Sequence, residues 1–337
     1  MSYYNIYMKK QILFSIICPA YNAQSFINDT IQSVLTQSYK HWELIIINDG
    51  SFDNTLQICE KYASLDRRIR CISQSNSGQY IAREKGIAEG AGDYYVFLDS
   101  DDLMSQHCLF NLNQIIQNND VDIIHYEMDT ISENTKIEDI KPYEKCRESE
   151  SLNTNAEILR EFLLRNKELS LYLTCVKREI IKKCINDNSI FTTFKNNEDF
   201  YMHYKIIKLS KRAIKINDIL YYYRINKNSI SHNFKIDHYY QSFIIHNYIY
   251  ADFFKNNVMG IDFNNIEIEK LAYMPLNLFK KSLYSKKQIY KFYSDVKPSF
   301  IYQKITNKFN FKSRKAKTFR FLINHKMIRL AKFLNKK

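Results

Sequence analysis

The first hundred residues alternate between two hydrophobic patterns. Leu13–Cys18 (LFSIIC), Trp42–Ile47 (WELIII) and Tyr94–Leu98 (YYVFL) are almost continuous apolar runs of strand length. Runs of this kind predict strands buried on both faces. Between the first two, Ile27, Ile31, Val34 and Leu35 recur at helical spacing behind Ser25, which suits a helix cap. Further helices are expected near Thr55–Ala63 and Gln79–Glu89, with a strand at Ile69–Ser73 between them. Doubly buried strands alternating with helices imply an α/β fold with a mostly parallel, Rossmann-like sheet flanked by helices. Such sheets bind ligands outside the carboxyl ends of their strands.

The pattern loosens after residue 105. Leu109, Leu112, Ile115 and Ile116 define one helical face, and Glu157–Leu164 and Asp199–Leu209 read as two more helices. Ile219–Arg224 (ILYYYR) reads as a strand. Beyond Asp237 the chain is rich in Ile, Tyr, Phe, Asn and Lys and mostly helical in pattern, with no internal repeat. Three segments are expected: 1–110, 111–235, and a helical C-terminal extension, 236–337.

At 45% apolar and 15% aromatic residues, the chain has ample material for a packed core. No run approaches the ~18 apolar residues of a membrane span, and residues 1–11 lack the apolar middle of a secretory signal. Seven cysteines without CxxC spacing fit buried thiols in a cytoplasmic protein better than disulfides or zinc.

The net charge of +13 is unevenly spread. Lys280–Lys337 carries 18 Lys and Arg against one acid, Asp295, while the preceding 279 residues hold 31 basic and 35 acidic residues. A basic stripe on the folded body, as nucleic-acid binding would want, is therefore not expected.

Chemistry concentrates near the strand ends. Five of the six glycines lie between Gly50 and Gly92, where backbone must turn or approach a ligand. The strand at Tyr94–Leu98 runs into Asp99-Ser100-Asp101-Asp102. Three carboxylates in four residues repel one another, and a hard divalent cation offsets that repulsion. A helix cap would need only one of them. Neither GxGxxG nor a P-loop is present, so a nucleotide would be held by a metal and scattered side chains.

The order of motifs carries a resemblance. Pro19-Ala20-Tyr21-Asn22 follows the first strand, and Gln32–Tyr39 ends the first helix. Asn48-Asp49-Gly50-Ser51, Asp53 and Thr55 follow the second strand. Asn76, Gly78, Ala82-Arg83 and Gly86 precede the acidic cluster; Glu198-Asp199, Tyr222-Tyr223-Arg224, Ser229 and Ser231 come later. This succession resembles the inverting family 2 glycosyltransferases of the GT-A fold, over roughly residues 14–232.

The resemblance implies a nucleotide-sugar donor held by Pro19, Ala20, Tyr21, Asp49, Asn76, Arg83, Asp99 and Ser100, with Arg224, Ser229 and Ser231 closing on the diphosphate. It implies a Mn²⁺ or Mg²⁺ cofactor on Asp101, with Asp99 and His232 as further candidate ligands. It implies Asp199 as the base for the acceptor hydroxyl, assisted by Glu198. Glu84-Lys85-Gly86 departs from the Asn-x-Gly usual after the arginine. The expected acceptor is a glycan or lipid-linked glycan in surface polysaccharide or lipo-oligosaccharide synthesis, with no nucleic-acid partner. The rival reading is an inactive nucleotide-sugar-binding or scaffold protein on the same fold.

The tail adds a location. Phe319, Leu322, Ile323, Met327, Leu330, Ala331 and Leu334 form a helical apolar face within a basic segment, Arg314–Lys337. A basic amphipathic helix suits an anionic membrane surface, at ~1 kcal/mol per basic residue. Peripheral attachment at the inner face of the cytoplasmic membrane is the expectation.

Overall fold

A computed structural model describes residues 10–140, 155–164, 170–185 and 198–225, with isolated positions at 245, 249 and 252. Ser229, Ser231, His232 and the tail lie outside the described residues. The chain divides into two units, residues 1–159 with 167–229, and residues 160–166 with 230–337. The sheet and the candidate site belong to the first.

The predicted alternation is present. It runs β1 (Phe14–Ala20), α1 (Ile27–Leu35), β2 (Trp42–Asn48), α2 (Thr55–Leu65), β3 (Ile69–Ser73), α3 (Gln79–Glu89) and β4 (Tyr94–Phe97). Then follow β5 (Leu103–Met104), α4 (Cys108–Asn118), β6 (Ile123–Ser132), α5 (Asn155–Leu164), β7 (Thr174–Lys177), α6 (Arg178–Cys184), α7 (Glu198–Leu209) and β8 (Ala213–Ile225).

One eight-stranded sheet results, in the order β3-β2-β1-β4-β7-β6-β8-β5. The four N-terminal strands are mutually parallel. Beyond β4 the sheet is mixed: β7 is antiparallel to both β4 and β6, β6 and β8 are parallel, and β5 is antiparallel to β8. Every residue of β1 and of β4 is buried, as continuous apolar runs require. Ile27, Ile31 and Val34 of α1 join that core beside Phe14, Ile16 and Leu44.

Two local expectations change. Ser25 does not cap α1; the Phe26 and Ile27 amides bond the Ala23 carbonyl instead. The C-terminal strand is longer than its apolar run, because β8 begins at Ala213 and pairs with β6 across a register shift. The parallel half places the ends of β1, β2 and β4 side by side, and their following loops form the candidate site.

Candidate active site

The loop after β1 is pinned to the loop after β2. Asn22 has φ 49°, a left-handed conformation that Asn tolerates. Its amide donates to Ser51 Oγ at 3.1 Å, and its side-chain oxygen accepts the Phe52 amide at 2.8 Å. Asp53 accepts the Gln24 amide at 3.1 Å. Pro19 and Ala20 are buried, and the Ala20 carbonyl accepts the Asp49 amide at 2.8 Å. Tyr21 remains 45% exposed and meets Phe52 edge-on, with ring centroids 6.2 Å apart.

Asp49 is buried and its carboxylate organises the next loop. It accepts Gln74 Nε2 and the amides of Ser77 and Gly78, each at 2.8 Å. Those amides lead into α3, where a carboxylate is also favoured by the helix dipole. Gly50, at φ +73°, lets the turn lie against Asn76: a Cβ there would sit 2.8 Å from the Asn76 nitrogen. Asn76 itself is exposed.

The acidic turn after β4 separates its three carboxylates by environment. Asp99 Oδ1 accepts Arg83 at 2.8 Å and Gln79 Nε2 at 3.0 Å. Buried Asp102 accepts the Tyr221 hydroxyl at 2.6 Å and the Arg224 amide at 2.7 Å. The Thr30 hydroxyl lies 3.0 and 2.9 Å from the carbonyls of Ser100 and Asp102. Asp101 differs: among the described residues no other side chain donates a hydrogen bond to it. Burial, then the neighbouring Asp99 carboxylate, pushes its pKa up to about 6. Burial and the charges of Asp101 and Asp99 raise Asp102 well above the usual range. The turn thus holds negative charge that its surroundings only partly offset.

That donor set fits one divalent cation held by a single protein carboxylate, Asp101, with the remaining positions open to substrate oxygens and water. Among the described residues no group of three His, Cys, Asp or Glu side chains is arranged to hold a metal. Asp99 and Asp102 already have protein donors.

Arg224, expected at the diphosphate, is only 1% exposed. Its guanidinium donates to the carbonyls of Asp101, Glu133 and Thr135 at 2.7–2.8 Å, and lies 3.8 Å from Asp29. It clamps the acidic turn to the end of β6. Asp199 sits in the first turn of α7, where its Oδ1 accepts the Phe200 amide at 2.8 Å. No hydrogen bond or ion pair among the described residues joins it to the acidic turn. Sequence reasoning missed Tyr221, Thr30 and Asp29. Tyr221 was legible only as one of three strand tyrosines, and the other two only as polar positions of α1.

The parallel strands end in loops that carry the Pro19–Asn22 turn, the buried Asp49 followed by Gly50, and the acidic turn, in the motif order that resembles the family 2 glycosyltransferases. Residues 15–175, just under half of the chain, match "Glycosyl transferase family 2". Among curated relatives, the glycosyltransferase GlyA of Streptococcus pneumoniae is 31% identical over 64% of this chain. The putative teichuronic acid biosynthesis glycosyltransferase TuaG of Bacillus subtilis is 47% identical over 27% of this chain. The matched segments span 31% and 36% of those relatives' own lengths. S. aureus TarS 1-349, solved in complex with UDP-GlcNAc, superposes with a TM-score of 0.56 at 18% identity, covering 95% of this chain and 84% of that one. At that identity the likeness shows the fold.

Proposed function

We propose that the chain is an inverting, metal-dependent hexosyltransferase. It moves a sugar from a nucleotide sugar, a UDP-hexose or UDP-N-acetylhexosamine, to a hydroxyl of a glycan acceptor in surface polysaccharide or lipo-oligosaccharide synthesis. The observation that carries the reading is the split within the acidic turn: two carboxylates are tied into the fold and Asp101 alone is left for a cation. The relatives' roles and the UDP-GlcNAc complex of TarS support the donor class.

In this reading Tyr21 and the loop organised by Asp49 receive the base and ribose. Asn76 stands at the rim. Arg83 holds Asp99 toward the ribose side, with Ser100 beside it. Asp101 would hold Mn²⁺ or Mg²⁺, which when bound stabilises the charge developing on the departing nucleoside diphosphate. Asp199 accepts the proton of the acceptor hydroxyl as its oxygen bonds the anomeric carbon and the bond to the diphosphate breaks. General-base assistance of this kind contributes ~10²–10⁴-fold. Glu198 orients the acceptor. Arg224 acts at one remove by fixing the acidic turn; the roles of Ser229, Ser231 and His232 toward the diphosphate rest on the motif resemblance alone.

The basic segment 314–337 would hold the enzyme at an anionic membrane surface. Among the described residues no helix is long and apolar enough to cross a membrane.

A screen of UDP-, GDP- and dTDP-sugars with Mn²⁺, read as nucleotide release, tests the proposal. UDP release from one UDP-sugar, abolished by Asp199→Asn with UDP affinity retained, is the expected result. Equal turnover by wild type and mutant would overturn the base assignment; no release from any donor would favour the inactive reading.

A further inference from the structure

Away from the acidic turn, the fold buries a polar cluster that the chemistry above does not use. Thr174, the first residue of β7, pairs directly opposite His125 of β6, and α7 brings His203 over them. All three are fully buried. Thr174 Oγ1 lies 3.1 Å from His125 Nδ1 and 3.3 Å from His203 Nε2, and the two rings are 5.1 Å apart.

The proton count on that hydroxyl is decided by a fourth group. Thr174 Oγ1 also lies 3.0 Å from the Ser170 carbonyl. A carbonyl only accepts, so the hydroxyl proton points there. Two lone pairs remain, and two ring nitrogens face them. Both nitrogens therefore carry hydrogen, which sets the tautomers: Nδ1–H in His125 and Nε2–H in His203. Burial, reinforced by His203 and by the nearby Lys215, holds the His125 pKa well below its ordinary value, so that ring is neutral. Lys215 is itself paired with Glu127 at 2.6 Å. One oxygen thus joins β6, β7 and α7.

His203 stands four residues after Asp199, one turn further along the same side of α7. Elsewhere on the helix, Lys205 Nζ donates to the Cys184 carbonyl and lies 3.3 Å from the Tyr80 hydroxyl. Tyr201, Met202, Tyr204, Ile206 and Ile207 of the same helix are buried against the body. The hydroxyl between two imidazoles adds a directional tie to that packing, because each ring nitrogen uses one of its lone pairs and a shift of α7 breaks the His203 bond.

We infer that Thr174 is a positioning residue for glycosyl transfer: through His203 it seats α7 on the sheet and so places the Asp199 carboxylate. The inference rests on Asp199 being the base, and its test separates the two. Thr174→Val keeps the shape but removes the oxygen that both ring nitrogens face; Thr174→Ser keeps the oxygen.

In the full chain, hydrogen exchange of the amides of residues 199–203 is expected to quicken at least tenfold in Thr174→Val. Exchange in β1 and β2, and UDP affinity in Mn²⁺, should match wild type, and Thr174→Ser should restore the slow exchange. Nucleotide release from the best of UDP-glucose, UDP-galactose and UDP-GlcNAc should fall at least tenfold in kcat, with KM changed less than twofold. Unchanged exchange at 199–203, or equal loosening of β1 and β2, would overturn the inference. So would wild-type kcat in Thr174→Val alongside a dead Asp199→Asn. If Asp199→Asn itself turns over normally, the base reading fails, while the exchange result still decides whether Thr174 seats the helix.

Discussion

The Tyr221 hydroxyl donates to Asp102 Oδ2 at 2.6 Å and accepts the Asp99 amide at 3.2 Å, so one side chain of β8 grips both ends of the acidic turn. Tyr221 is buried, and β8 lies four strands from β1 in the sheet order. The turn that presents Asp101 is therefore shaped by a strand that arrives more than a hundred residues later. Tyr221→Phe should cost about 1–3 kcal/mol of stability, because Asp102 loses a buried donor. Denaturant unfolding checks the size, and a loss below a few tenths would mean the bond is replaced.

Asp101 predicts a pH dependence for cation binding. With its pKa near 6, a cation arriving below that pH must displace a proton, and above it finds the carboxylate ready. Mn²⁺ affinity should be flat above about pH 6 and fall towards tenfold per unit below it. Calorimetry between pH 5 and 8 would show this, and Asp101→Asn should remove both the affinity and its slope.

His125 acts on stability with the opposite sign to the acidic turn. Its folded pKa is depressed, so the unfolded chain takes up the proton first. Stability present above the unfolded value of about 6.5 is lost as pH falls through it. Asp101, raised to about 6, favours the folded state as pH falls from about 6 towards 4, and Asp102, also raised, acts in the same direction. Comparing wild type with His125→Asn isolates the histidine: the difference in unfolding free energy should shrink between pH 7.5 and 5. A constant difference would show that the ring is not held neutral.

Gly50→Ala should damage the loop that Asp49 organises. The φ of +73° strains any L side chain, and the added Cβ meets the Asn76 backbone at 2.8 Å. A cost of about 1–3 kcal/mol is expected, with weaker UDP binding and no change in α7 exchange. Retained UDP affinity would show that Asn76 and its loop do not touch the nucleotide.

The parallel half of the fold was legible from residues alone. Ile16, Ile45 and Val96 lie in runs with no polar face, and only strands covered on both sides suit such runs. The mixed half was not. β7 is four residues long, and β6 passes from buried Ile123–Tyr126 to exposed Asp129 and Thr130, so neither shows a clean period. Their places depend on pairing partners distant in sequence.

The site divides the same way. Composition and motif order determined which residue types gather after β1, β2 and β4, because a strand's end and its following loop are local. Only the tertiary structure decided what each one touches there. Arg224 has the chemistry of a phosphate ligand, yet it is nearly fully buried, three carbonyls take its Nε and Nη1 donors, and its Nη2 faces Asp29 at 3.8 Å. Asp99, Asp101 and Asp102 carry the same side chain, and the sequence told them apart only by resemblance. Arg83, Tyr221 and the Arg224 amide reach two of them and leave the third. Hydrogen bonds act over about 3 Å, and which groups come within that reach is set by how distant segments pack.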